Sequence, residues 1–119
     1  KAVYYAHSKR IYDTKQEKEE LKWLQNKFEL VVCPNNHMGE LFNIQPYLDR
    51  ITTCNRVVLS EYKNCIGKGV FSEVLHALKR RIPVHCLRKK LSVFRLVAVR
   101  EVLIVDKNDW SVNYGRILT

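Results

Sequence analysis

NRVVLSEYKNCIGKGVFSEVLHALKRRIPVHCLR, Asn55 to Arg88, is the stretch from which the rest of the chain is read. It has the pattern strand, glycine-bearing loop, helix, strand. The apolar run Val57-Val58-Leu59 within Asn55–Ser60 suits a strand buried on both faces. Gly67 and Gly69 punctuate the loop. From Val70 onward, Val70, Val74, Ala77 and Leu78 recur at helical spacing, with Phe71 and Leu75 beside them. Pro83 stops the helix, and VHCL opens a second buried strand. A strand-helix-strand unit this short implies parallel strands. In such sheets ligands bind outside the carboxyl ends of the strands, beside the starts of the following helices. Glu73, placed by this reading in the first helical turn, would face that crevice.

Working outward, Ala2–Ala6 fits a first strand, followed by the polar, basic loop HSKRIYDT. Thr14 and Glu17 match a capping box, and the helix predicted over Thr14–Phe28 places Leu21, Leu24 and Phe28 on one face. The EKEE run, Glu17 to Glu20, is expected to be a solvated face. Leu30–Cys33 is a second strand, ended by Pro34 and the turn-rich NNHMGE. A short helix is expected near Pro46 within Phe42–Thr53, with Tyr47, Leu48 and Ile51 facing inward. Phe94–Val105 suits one long or two short strands, with a bend near Arg95 and Arg100. The order of elements predicts an α/β fold: a single-domain, doubly wound, largely parallel five-stranded sheet of flavodoxin-like or Rossmann-like order.

A chain of 119 residues suits one domain, and 46% hydrophobic with 28% charged residues is ordinary for a globular protein. Lys and Arg outnumber Asp and Glu by 21 to 12, a formal charge of +9, which favours an anionic partner. Cys33, Cys54, Cys65 and Cys86 form no CxxC pair and no Cys-His cluster, so neither disulfides nor structural zinc are expected. His37, His76 and His85 lack metal-ligand spacing. No segment approaches transmembrane length and no signal peptide is visible. The expectation is a cytoplasmic protein without membrane, metal or cofactor.

Two groups of residues carry chemistry in this reading. Glu73, behind IGKG, is a carboxylate suited to a sugar bound over Gly67 and Gly69, where a ligand can approach the backbone. The helix dipole alone also favours acids in a first turn. His7-Ser8-Lys9-Arg10, directly after the first strand, offers a hydroxyl, backbone donors and two cations for a phosphate at the same sheet edge. The basic runs Lys79-Arg80-Arg81 and Arg88-Lys89-Lys90 hold no aromatics for base stacking, so nucleic acid is a possible but not a favoured partner.

IGKGVFSEVLHALKRRIPVHCL resembles the motif of the nucleoside 2-deoxyribosyltransferase-like family, which includes the 2'-deoxynucleoside 5'-monophosphate N-glycosidases. Gly69, Glu73 and Ala77 match its glycine, glutamate and alanine, and Tyr4 in VYYAHS falls on the tyrosine of its opening strand. The resemblance spans most of residues 2 to 88 and rests on few identities. It implies that Glu73 is a nucleophile forming a glycosyl ester, or a ribose-contacting carboxylate in hydrolases, and that Tyr4 orients it. A nucleoside or nucleotide partner and a homodimer or larger assembly are implied as well. This chain departs from the pattern at two places: Asn55-Arg56 where an aspartate opens the third strand, and Gly67 where many transferases have another. The acid that would protonate the leaving base is therefore missing from its usual place. Glu61 and Asp13 are possible substitutes. A catalytically degenerate nucleotide-binding or nucleotide-signal-binding protein is the alternative.

Overall fold

The computed structural model describes residues 1–38, 43–99 and 116–118, with His37 and the last three by backbone alone. Its centre is a five-stranded sheet built from β1 (Ala2–Ala6), β2 (Leu30–Val32), β3 (Arg56–Ser60), β5 (Val84–Lys90) and β6 (Val93–Ala98). The order is β2-β1-β3-β5-β6. The first three pairings are parallel and β5–β6 is an antiparallel hairpin. This is the flavodoxin-like order that the order of elements predicts, with one antiparallel edge strand. Between β3 and β5 the chain makes an excursion: β4 (Cys65–Gly67) pairs with β7 (Arg116–Leu118) in a separate two-stranded sheet.

Helices cover both faces. α1 (Lys15–Lys27) packs on one, where Val3, Tyr5, Leu24, Val31, Val58 and Leu87 form a core. α4 (Lys68–Lys79) and α3 (Gln45–Thr52) cover the other. There Tyr4, Val57, Leu59, Ile66, Val70, Val74 and Ala77 pack together. Alternation along β1 sends Tyr4 to the α4 side and Tyr5 to the α1 side, and both are fully buried. Burial of each large apolar side chain contributes on the order of 1.5–3 kcal/mol. A charge placed at Val74, on the inward stripe of α4, would therefore unfold this layer.

Local chemistry sets the boundaries. Thr14 caps α1, its hydroxyl oxygen accepting from the Glu17 amide at 3.3 Å. Arg80 caps α4, Arg81 turns left-handed at φ 59°, and Pro83 forbids continuation. The β5–β6 turn places Leu91 and Ser92 at φ 51° and 67°, the hand that suits a tight hairpin.

Several expectations need correction. α4 starts at Lys68, so Gly67 is its N-cap residue, Gly69 lies in its first turn, and Glu73 falls in the second turn. Dipole preference in a first turn therefore does not account for Glu73. Pro34–His37, expected as turn, is a short helix, α2. The EKEE run is not a solvated face, since Glu17 and Glu20 are both buried. Their positions continue the inward stripe of Leu21, Leu24 and Phe28 at spacings of three and four, which carries them onto the polar end of the sheet. The anticipated bend near Arg100, the remainder of the Phe94–Val105 run and the start of the Phe42–Thr53 segment lie outside the described residues. The four cysteines are reduced and buried, and no described helix is long and apolar enough to cross a membrane.

Candidate functional site

In the order β2-β1-β3 the chain reverses direction across β1, so a crevice opens outside the carboxyl ends of β1 and β3. A cleft of about 380 Å³ lies there. Its lining includes Tyr4, His7, Ser8, Lys9, Arg10, Gly67, Gly69 and Glu73, the catalytic and ligand-binding candidates of the sequence, though not the substitute acids Glu61 and Asp13. Tyr12, Pro34, Ile44, Tyr47 and Val70 complete the wall. Its volume lies within the roughly 300–1,000 Å³ typical of ligand clefts.

Glu73 and Tyr4 form the inner end. The Tyr4 hydroxyl donates to Glu73 Oε2, a bond between residues 69 positions apart in the chain. Both are buried, with Glu73 7% exposed. Burial pushes the Glu73 carboxyl up to about 7, and the Tyr4 bond opposes that rise without cancelling it. Burial first, and then the Glu73 charge, raise the Tyr4 hydroxyl, which keeps its proton at neutral pH. The same two causes raise Tyr12. The result is a carboxyl near its midpoint at neutral pH, with a fixed donor on one oxygen.

The two glycines face this space. Neither has a left-handed backbone, and a Cβ at either would meet no atom within 4 Å. What glycine contributes here is room for a ligand. Gly67 also leaves the start of α4 without a side-chain cap.

The basic loop supplies an exposed part of the lining. Lys9–Ile11 forms one turn of 3₁₀-helix, capped by the Ser8 hydroxyl oxygen, which accepts from the Arg10 amide at 3.2 Å. Lys9 and Arg10 are exposed, and among the described residues neither pairs with a carboxylate. His7 differs from the other three. Its Nδ1 lies 2.9 Å from the Tyr5 carbonyl oxygen and its Nε2 lies 2.7 Å from Glu17 Oε2. Both nitrogens point inward, so the ring borders the cleft without offering it a donor.

The two positions where the chain departs from the resembled motif lie in different places. Asn55 lies at the amino edge of the sheet, where its side-chain oxygen accepts from the Ala2 amide at 3.0 Å. That departure does not touch the cleft. Gly67 does line it, and among the described lining residues Glu73 is the only carboxylate. Glu61 opens instead onto a second cleft of about 440 Å³ beside α1, paired with Arg88 at 3.2 Å. Asp13 is not among the lining residues either.

Tyr12 and Tyr47 were not anticipated as cleft residues. Tyr12 lies within the basic loop HSKRIYDT, two residues after Arg10, a position that was a usable signal. Tyr47, expected to face inward, is half-buried and borders the opening. A search of protein-family models, of curated proteins and of solved structures finds no match to this chain.

Proposed function

We propose that this cleft binds a nucleoside or nucleoside monophosphate and that Glu73 acts at the anomeric carbon of its sugar, as an N-glycosidase or deoxyribosyltransferase. The observation that carries the reading is the Tyr4–Glu73 pair, buried in the wall of a cleft that is also lined by the exposed cations Lys9 and Arg10. A 5'-phosphate suits Ser8, Lys9 and Arg10, while Tyr12, Tyr47 and Ile44 provide an apolar and aromatic wall for a planar base. The glycines leave space for the sugar beside Glu73.

In this mechanism ionised Glu73 attacks the anomeric carbon, the bond to the base breaks, and a glycosyl ester forms. Water or a second base then resolves the ester. Tyr4 holds one carboxylate oxygen so that the other is presented to the sugar. A pH–rate profile separates this role from general acid catalysis: a nucleophile gives kcat/KM rising through about pH 7, whereas an acid gives the reverse.

A second reading is a nucleotide-binding protein without turnover. It is favoured by the absence of a second carboxylate among the described lining residues, which leaves the departing base without an obvious proton donor. Incubation with each common ribo- and deoxyribonucleoside monophosphate, with free base measured by chromatography, tests both. Base release supports the enzyme, binding by calorimetry without release supports the binder, and neither binding nor release refutes the site.

A further inference from the structure

Behind the cleft, three potential metal ligands from three elements converge: His7 at the end of β1, Glu17 in the first turn of α1, and Cys33 at the end of β2. His7 Nε2, a Glu17 carboxylate oxygen and Cys33 Sγ lie within 4.8 Å of one another, and all three residues are buried. We propose that this cluster is a binding site for one divalent transition-metal ion of the zinc class, held by His7 Nε2, Glu17 Oε2 and Cys33 Sγ. The site is independent of the proposed action on nucleotides.

The supporting shell is already arranged for such an ion. His7 Nδ1 lies 2.9 Å from the Tyr5 carbonyl oxygen, which requires the hydrogen on that nitrogen and leaves Nε2 as the ligand lone pair. Nε2 then faces Glu17 Oε2 at 2.7 Å, so a proton must be held between two acceptors. A metal ion is the other occupant that satisfies both. The Glu17 orientation is fixed by the Asn35 amide on Oε2 at 3.0 Å and the Asp13 N–H on Oε1 at 3.1 Å.

Tetrahedral zinc, with bonds of about 2.0–2.3 Å, holds its ligand atoms roughly 3.3–3.8 Å apart. Nε2 and Oε2 need to separate by only about half an ångström to meet that geometry, again from the bond lengths of zinc sites. The combination of thiolate, imidazole and carboxylate selects against magnesium and calcium. On binding, the Cys33 thiol proton, now directed at Asn35 Oδ1, and the proton between His7 and Glu17 both leave to solvent. A metal here would tie β1, α1 and β2 together beneath the loop that carries Ser8, Lys9 and Arg10.

Titration of the chelator-stripped, reduced full chain with Co²⁺ tests the assignment. One equivalent should produce a thiolate-to-cobalt charge-transfer band and visible ligand-field bands, which Zn²⁺ then displaces. Cys33→Ser should abolish the charge-transfer band, Cys65→Ser should leave it, and Asn35→Ala should weaken Co²⁺ binding by about 10- to 100-fold. Absence of a thiolate band, or a band surviving in Cys33→Ser, overturns the site. X-ray absorption at the zinc edge of the unsubstituted chain gives the same decision without any variant. One sulfur near 2.3 Å with nitrogen and oxygen neighbours near 2.0 Å is expected, and a shell without sulfur or with several sulfurs refutes it.

Discussion

Replacing Glu73 by Gln is expected to make the protein more stable above neutral pH while removing its proposed activity. In the folded chain burial lifts the carboxyl from its ordinary 4.5 to about 7. Because the folded value is the higher, the folded state binds the extra proton. The associated stability is fully present below pH 4.5 and is lost as pH rises through about 7. At about 1.4 kcal/mol per pH unit, ionising this group costs the native state roughly 3 kcal/mol by pH 8. Gln keeps the shape and still offers an oxygen to the Tyr4 hydroxyl, but never ionises. Urea unfolding of both proteins at pH 5, 6, 7 and 8 reads the difference directly, since all other titrating groups are shared and cancel. The variant should gain about 1–3 kcal/mol between pH 5 and pH 8 relative to wild type. A difference that stays constant across that range would refute a carboxyl shifted by burial.

Tyr4→Phe removes a bond that favours ionised Glu73, worth about 1.5–3 kcal/mol for a charged acceptor, so the rising limb of the pH–rate profile should move up by about one unit or more. An unmoved limb would exclude Tyr4 from that role. Gly69→Ala should stabilise α4 by up to about 1 kcal/mol in thermal unfolding while weakening nucleotide binding by calorimetry, because the added methyl enters the cleft. Arg10→Ala should weaken nucleoside monophosphates by about ten- to a hundredfold and leave free nucleosides nearly unchanged, and equal weakening would remove the phosphate assignment. Replacing Leu91-Ser92 by Asn-Gly should stabilise the hairpin by about 1 kcal/mol in chemical denaturation, since both positions have positive φ and Leu91 is 90% exposed.

The sheet was legible because its strands are short apolar runs separated by one strongly periodic helix and by Pro and Gly signals. Val57-Val58-Leu59 and Val84 to Leu87 needed no tertiary information. Glu73 and the basic loop were legible because topology alone brings the ends of β1 and β3 together. What escaped was set by partners distant in sequence. Glu17 and Glu20 look solvated by charge, yet His7, Tyr5 and Ser60 receive them: Glu20 accepts from Tyr5 at 2.6 Å and from Ser60 at 2.7 Å. Burial still raises the Glu20 carboxyl despite those bonds. The pairing of β4 with β7, as between Cys65 and Arg116, joins residues far apart in the chain and likewise has no local signal. His7 groups with the ligand-binding loop in the sequence, because spacing cannot show that both its ring nitrogens face Tyr5 and Glu17.

The most direct test of the central claim is base release by wild type and Glu73→Gln at pH 8, where most of the Glu73 carboxyl is ionised. Each protein is given the same nucleoside monophosphate, and binding is followed in parallel by calorimetry. Wild type should release free base, and the variant should bind the nucleotide with similar affinity and release none. Release that persists in the variant would contradict Glu73 as the group acting on the sugar.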